Sequence, residues 1–139
     1  MNNVEDVFQA RFELLLSSGL ANQASISASL ETLRQVEQHT GISLDEPLGA
    51  PLATHLAITL KRLLQGEFLQ PAPDVLWQEL QGYPTQLELA TELVNSLELH
   101  LGIQIPSDEA GFIALHLARI ALEAGNLIDT SNPSTEEEQ

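Results

Sequence analysis

The four histidines of this chain fall into two pairs, and the residues around them recur. Residues 37–60 and 98–121 align without a gap at an offset of 61. Glu37, His39, Gly41, Ile42, Ala53, His55, Leu56 and Ala57 return as Glu98, His100, Gly102, Ile103, Ala114, His116, Leu117 and Ala118. His39 and His100 stand two residues before a glycine, where a cation in the last helical turn complements the dipole and meets free carbonyls; a structural role is sufficient for them. His55 and His116 sit in Ala53-Thr-His-Leu-Ala57 and Ala114-Leu-His-Leu-Ala118, with apolar residues on both sides. A lone histidine in such a stretch is ordinarily a satisfied, partly buried residue, whereas two in equivalent places argue for a shared task. Helical spacing puts His55 on one face with Thr59 and Arg62, and His116 on one face with Glu109, Phe112, Arg119 and Ile120.

Three chemistries use such residues. Two histidines with Asp45 or Glu109 could hold a metal, although neither helix has the His-x-x-x-His or Glu-x-x-His spacing of a specific site. A histidine and a carboxylate could act as general acid and base, although nothing marks a substrate pocket. Neutral imidazole is also a good phosphoryl acceptor near pH 7, and a guanidinium nearby could hold the incoming phosphate. Lys61, Arg62 and Arg119, three of the five basic residues, follow these histidines closely. The residues favour the third chemistry without excluding the others.

Composition narrows the classes further. There is no cysteine, which excludes disulfides, thiolate metal sites and a thiol nucleophile. Five basic residues among twenty acidic ones give a net charge of −15. Nucleic-acid affinity comes from Lys and Arg neutralising phosphates, so direct binding to DNA or RNA is not expected. The same field opposes an anionic membrane surface, but suits a basic patch on another protein. The N-terminus lacks a basic leader segment and no apolar run is long enough to span a bilayer, so a cytoplasmic protein is expected.

The elements that must carry the histidines are helices. Hydrophobic content is 43% with only 4% aromatics, which favours a helical fold. Helices are expected at about 3–18, 24–40, 48–65, 72–81, 85–101 and 107–124, with Gly19, Gly41, Gly66, Gly82, Gly102 and Gly125 ending them. Thr85 to Glu88 is read as a capping box and Ser107 as an N-cap. The repeat reaches back into the preceding helices, where Ile26, Glu31, Leu33 and Val36 align with Leu87, Glu92, Val94 and Leu97. The expected fold is therefore all-α: a helical bundle of two pseudo-symmetric αα-hairpins, plus an N-terminal helix. The N-terminal helix occupies residues 1–21, the helical domain 22–126, and a disordered acidic tail 127–139.

The run Leu101-Gly-Ile-Gln-Ile-Pro-Ser-Asp-Glu-Ala-Gly-Phe-Ile-Ala-Leu-His116 closely resembles the second half of the PTS regulation domain (PRD), the phosphorylatable module of bacterial sugar-responsive antiterminators and activators. Leu52 to Arg62 resembles the family's first histidine segment, and Val75 to Pro84 its middle segment. The likeness covers about residues 22–125 in the right order. It implies an all-helical bundle, often a homodimer, with two histidines phosphorylated by the phosphocarrier HPr or by an enzyme II B component of the phosphotransferase system. His116 and His55 carry over as phosphoacceptors, and Arg62 as the basic partner of the first segment; Arg119 is a second supporting phosphate contact. No cofactor and no metal are implied, and no enzymatic activity.

Departures from the pattern matter. The family's acid beside the first histidine is Thr54 here, so His116 is expected to be the better acceptor. The sequence is read as a stand-alone, single-domain member without a nucleic-acid-binding domain, so control is expected to pass through a regulatory partner protein. The alternatives are a PRD-like dimerisation scaffold that is no longer phosphorylated, or a small metal-dependent enzyme.

Overall fold

A computed structural model describes the backbone of residues 3–131 and the side chains through Gly125. Its elements are α1 (Val4–Val7), α2 (Gln9–Ser17), α3 (Gln23–Thr40), α4 (Glu46–Leu64), α5 (Asp74–Leu80), α6 (Pro84–Leu101) and α7 (Asp108–Ser131). No strand occurs among the described residues. Helices α3 and α4 form one hairpin and α6 and α7 the other; α3 packs on α6 and α4 on α7. None of the described helices is long and apolar enough to cross a membrane.

The repeat is built the same way twice. Gly41 and Gly102 adopt left-handed φ values of 72° and 68° and close α3 and α6. After each turn, a glutamate of the finished helix anchors the chain that leaves it. Glu37 accepts the Leu44 N–H at 2.8 Å, and Glu98 accepts the Ile105 N–H at 2.7 Å. Both pairs are separated by seven residues and related by the offset of 61. The aligned positions Leu33, Val36, Val94 and Leu97 are all buried, as the stripe on each helix demands.

Two equivalent residues can touch only near the axis that relates them. Gln35 Nε2 donates to Ser96 Oγ at 3.1 Å, and these residues are 61 apart. The His55 and His116 rings, also 61 apart, stand 5.2 Å from centroid to centroid. A pseudo-two-fold axis therefore runs between α3 and α6 and between α4 and α7.

Each half also has a helix laid over its second hairpin arm, fixed by an aromatic ring on a glycine. Phe8 covers Gly49 of α4, where a Cβ would lie 2.6 Å from the ring. Trp77 of α5 covers Gly111 of α7, where a Cβ would lie 2.9 Å from the indole. Val4, Phe8 and Phe12 are buried, so the N-terminal segment belongs to the core. Lys61 Nζ, donating to Gly19 O at 2.6 Å, ties the end of that segment to α4.

Several local expectations are corrected. The N-terminal helix is two pieces, because Phe8 leaves helical geometry (φ −105°, ψ 12°) between α1 and α2. Helix α4 starts two residues earlier, at Glu46, with Asp45 accepting the Leu48 N–H as N-cap. The capping box at 85–88 does not form: α6 starts at Pro84, its N-cap is Tyr83, and no side chain bonds the cap. Proline at the first helical position has no N–H to satisfy, which removes part of the need. Left-handed glycines among the described residues are Gly19, Gly41, Gly66 and Gly102, so Gly82 and Gly125 do not play that part. Helix α7 passes through Gly125 to Ser131. Of the acidic tail expected at 127–139, residues 132–139 lie outside the described residues.

Candidate functional site

His55 lies in the middle of α4 and His116 in the middle of α7, and the pseudo-two-fold packing of those helices brings the two rings together. Each ring opens on its own cavity. The His55 cavity, about 300 Å³, is lined by Ile58, Thr59, Arg62, Glu109 and Phe112, with Leu69 and Gln70 of the linker. The His116 cavity, about 110 Å³, is lined by Arg119, Ile120, Glu123, Leu48, Pro51 and Leu52. Apart from the linker residues and Leu52, the two linings are the same positions shifted by 61.

The chemistry at those positions is exchanged. Glu109 in the first cavity corresponds to Leu48 in the second. His55 Nε2 therefore meets Glu109 Oε1 at 2.9 Å, while His116 meets an apolar wall. Glu109 is only 5% exposed, so the bond is screened from water. Burial first, and then the neighbouring His55 and Arg119, lower the His116 imidazole from its ordinary 6.5 to about 4. Thus His116 is the neutral base at any physiological pH.

The arginines stand in separate cavities. Arg62, in the His55 cavity, donates through Nε to Glu67 at 2.9 Å. Arg119, in the His116 cavity, is exposed and has no ion-pair partner among the described residues. The other basic residues are engaged: Arg34 pairs with Glu5 and Glu31, and Arg11 grips Glu46 with two bonds of 2.9 and 3.0 Å. That hydrogen bonding, with the charge of Glu46, raises the Arg11 pKa.

Two contacts were not evident from the sequence. Helical periodicity placed Glu109 on the face of His116, but its carboxylate crosses the helix interface to His55. The offset of 61 held the signal, since it sets Glu109 against Leu48. Thr54, where the family pattern has an acid, accepts from Arg11 Nη1 at 3.0 Å. It is thereby coupled to α2, and no bond joins it to the His55 ring.

His39, Asp108 and Asp45 have structural partners. His39 Nδ1 donates to Gln35 O at 2.9 Å, a last-turn carbonyl contact, and its Nε2 is 3.8 Å from Glu92. Asp108 accepts the Ala72 N–H at 2.8 Å and so ties the linker to the start of α7. Asp45 caps α4. Among the described residues, no three His, Cys, Asp or Glu side chains gather to hold a metal ion.

Comparison with known proteins gives the same frame. The chain is 27% identical over 99 residues to Protein GlcT of Staphylococcus haemolyticus, covering 71% of this chain and 34% of that protein. It is 26% identical over 106 residues to the transcription antiterminator LicT of Bacillus subtilis, covering 75% and 38% respectively. To the beta-glucoside operon antiterminator of Dickeya chrysanthemi it is 27% identical over 88 residues, covering 63% and 30%. The chain thus spans about a third of the length of these relatives. No solved structure matches it. The PRD domain family model matches residues 30–120, which hold α4 entirely and α7 past His116, and the chain belongs to that family.

Proposed function

We propose that this chain is a non-enzymatic regulatory module of bacterial carbohydrate-linked gene control, phosphorylated on His116 and His55 by HPr or an enzyme II B component. Modification acts on its pairing with a second copy and with a partner protein in the cytoplasm. The observation that carries the reading is the pair of equivalent histidines on facing helices, 5.2 Å apart, each with an arginine in its own cavity. The names of the relatives, transcription antiterminators among them, support the regulatory setting.

His116 is the stronger acceptor. Its ring is neutral, Leu48 stands where His55 has Glu109, and Arg119, which lines the cavity with Glu123, has no ion-pair partner among the described residues and is placed to take a phosphate oxygen. His55 faces the carboxylate of Glu109, which opposes an arriving anion. A phosphoryl group adds about −1.5 to −2 of charge at pH 7. Beside a helix interface in a chain of net charge −15, that is enough to alter how the surface pairs.

The test is incubation with enzyme I, HPr, the enzyme II B component and phosphoenolpyruvate. Acid-labile phosphate on the wild type, lost in the His55→Ala/His116→Ala double variant, is expected. No label on the wild type defeats the proposal, and label surviving in the double variant defeats the site assignment.

A second reading keeps the fold and drops the chemistry: a docking scaffold whose histidines are not phosphorylated. The bond from Arg11 to Thr54, where the family pattern has an acid, favours it. It requires His116→Asp and His55→Asp to leave dimerisation and partner binding unchanged.

A further inference from the structure

We infer that Glu109 decides which nitrogen of His55 takes the phosphoryl group: Nδ1, with the proton on Nε2 held by Glu109 throughout. The inference rests on His55 being a phosphoacceptor, as proposed above.

Glu109 Oε1 lies 2.9 Å from His55 Nε2. A carboxylate oxygen accepts, so Nε2 carries the N–H and the lone pair lies on Nδ1. Only a lone pair can attack phosphorus. Among the described residues no group bonds His55 Nδ1, and that atom is not sealed from solvent. The side chain is 24% exposed and lines the cavity of about 300 Å³ that also holds Arg62 and Thr59.

The transfer then balances without moving a proton. The Nδ1 lone pair forms the new P–N bond as the donor's P–N or P–S bond breaks, and the donor leaves with that electron pair. The ring keeps its Nε2–H and becomes positively charged. Glu109, already in hydrogen-bond contact with that N–H, balances the charge. Without the carboxylate, the proton is free to move to Nδ1. The lone pair, and with it the attack, can then pass to Nε2. Glu109 is thus a positioning residue, and it reaches His55 from the opposite helix. Thr54 makes no such bond: its hydroxyl oxygen accepts from Arg11, and the partner of the His55 ring is Glu109.

The experiment treats the full chain with phosphoramidate, which needs no protein donor, and reads each histidine ring by long-range 1H–15N correlation. The wild type is expected to label His55 on Nδ1. Glu109→Gln, whose amide oxygen still accepts from Nε2–H, keeps that preference. Glu109→Ala shifts the Nδ1 to Nε2 ratio toward Nε2 by about tenfold or more, the scale of one charged hydrogen bond. Label on Nε2 of His55 in the wild type overturns the inference and leaves the phosphoacceptor reading standing, as does an unchanged ratio in Glu109→Ala. A folded wild type with no label on His55 overturns both.

Discussion

The exchange of Glu109 for Leu48 across the pseudo-two-fold axis can be reversed by one substitution, Leu48→Glu. The pseudo-symmetry sets residue 48 against His116 as residue 109 is set against His55. A carboxylate about 4 Å from an imidazolium, at an effective dielectric near 20, contributes about 4 kcal/mol of attraction. At about 1.4 kcal/mol per pH unit this is an upper limit of about 3 pH units. Part of it is lost in desolvating the new carboxylate, so the His116 pKa should rise by about 1–3 pH units from its value of about 4. Histidine ring resonances followed through a pH titration measure it directly, with Leu48→Gln as the uncharged control of the same size. Leu48 is only partly buried, so the fold should survive, at a cost of about 1 kcal/mol. A folded Leu48→Glu protein in which His116 still titrates near 4 would refute the account. The exchanged residue would then not cause the difference between the two histidines.

Other outcomes follow from the same geometry. His116 takes a proton at about 4 in the fold and near the ordinary 6.5 when unfolded, so between these values only the unfolded chain is protonated there. Stability should fall as pH drops from 6.5 toward 4, by no more than about 3 kcal/mol, and His116→Gln should flatten that part of a urea-denaturation pH series. Phe8→Ala empties the seat over Gly49 and should cost about 3–5 kcal/mol in thermal or urea unfolding, although Phe8 precedes the family-matched residues 30–120. A cost below about 1 kcal/mol would mean the N-terminal segment is dispensable. Gly111→Ala drives a methyl against the single tryptophan, Trp77, and should cost about 1–3 kcal/mol with a visible change in its fluorescence.

Periodicity and punctuation carried much of the fold. The stripe Leu33 and Val36, repeated as Val94 and Leu97, marks buried faces because side chains three and four apart share one side of a helix. Gly41 and Gly102 end their helices because only glycine takes positive φ freely. Gly125 misled for the complementary reason: glycine permits a turn but does not impose one, and α7 continues through it. The capping box at 85–88 failed because Pro84 already supplied the first helical position without an N–H to cap.

By itself the sequence determined that two equivalent helices each carry a histidine, since a repeat at an offset of 61 is a property of the chain alone. Only the tertiary structure decided what those histidines meet. Helical periodicity reports the neighbours within one helix, and assigned Glu109 to His116. Packing of α4 against α7 about the pseudo-two-fold axis carried that carboxylate across to His55 and left Leu48 facing His116. One histidine is thereby hydrogen-bonded to a buried acid and the other left as a desolvated neutral base, a difference made by which residues lie across the interface.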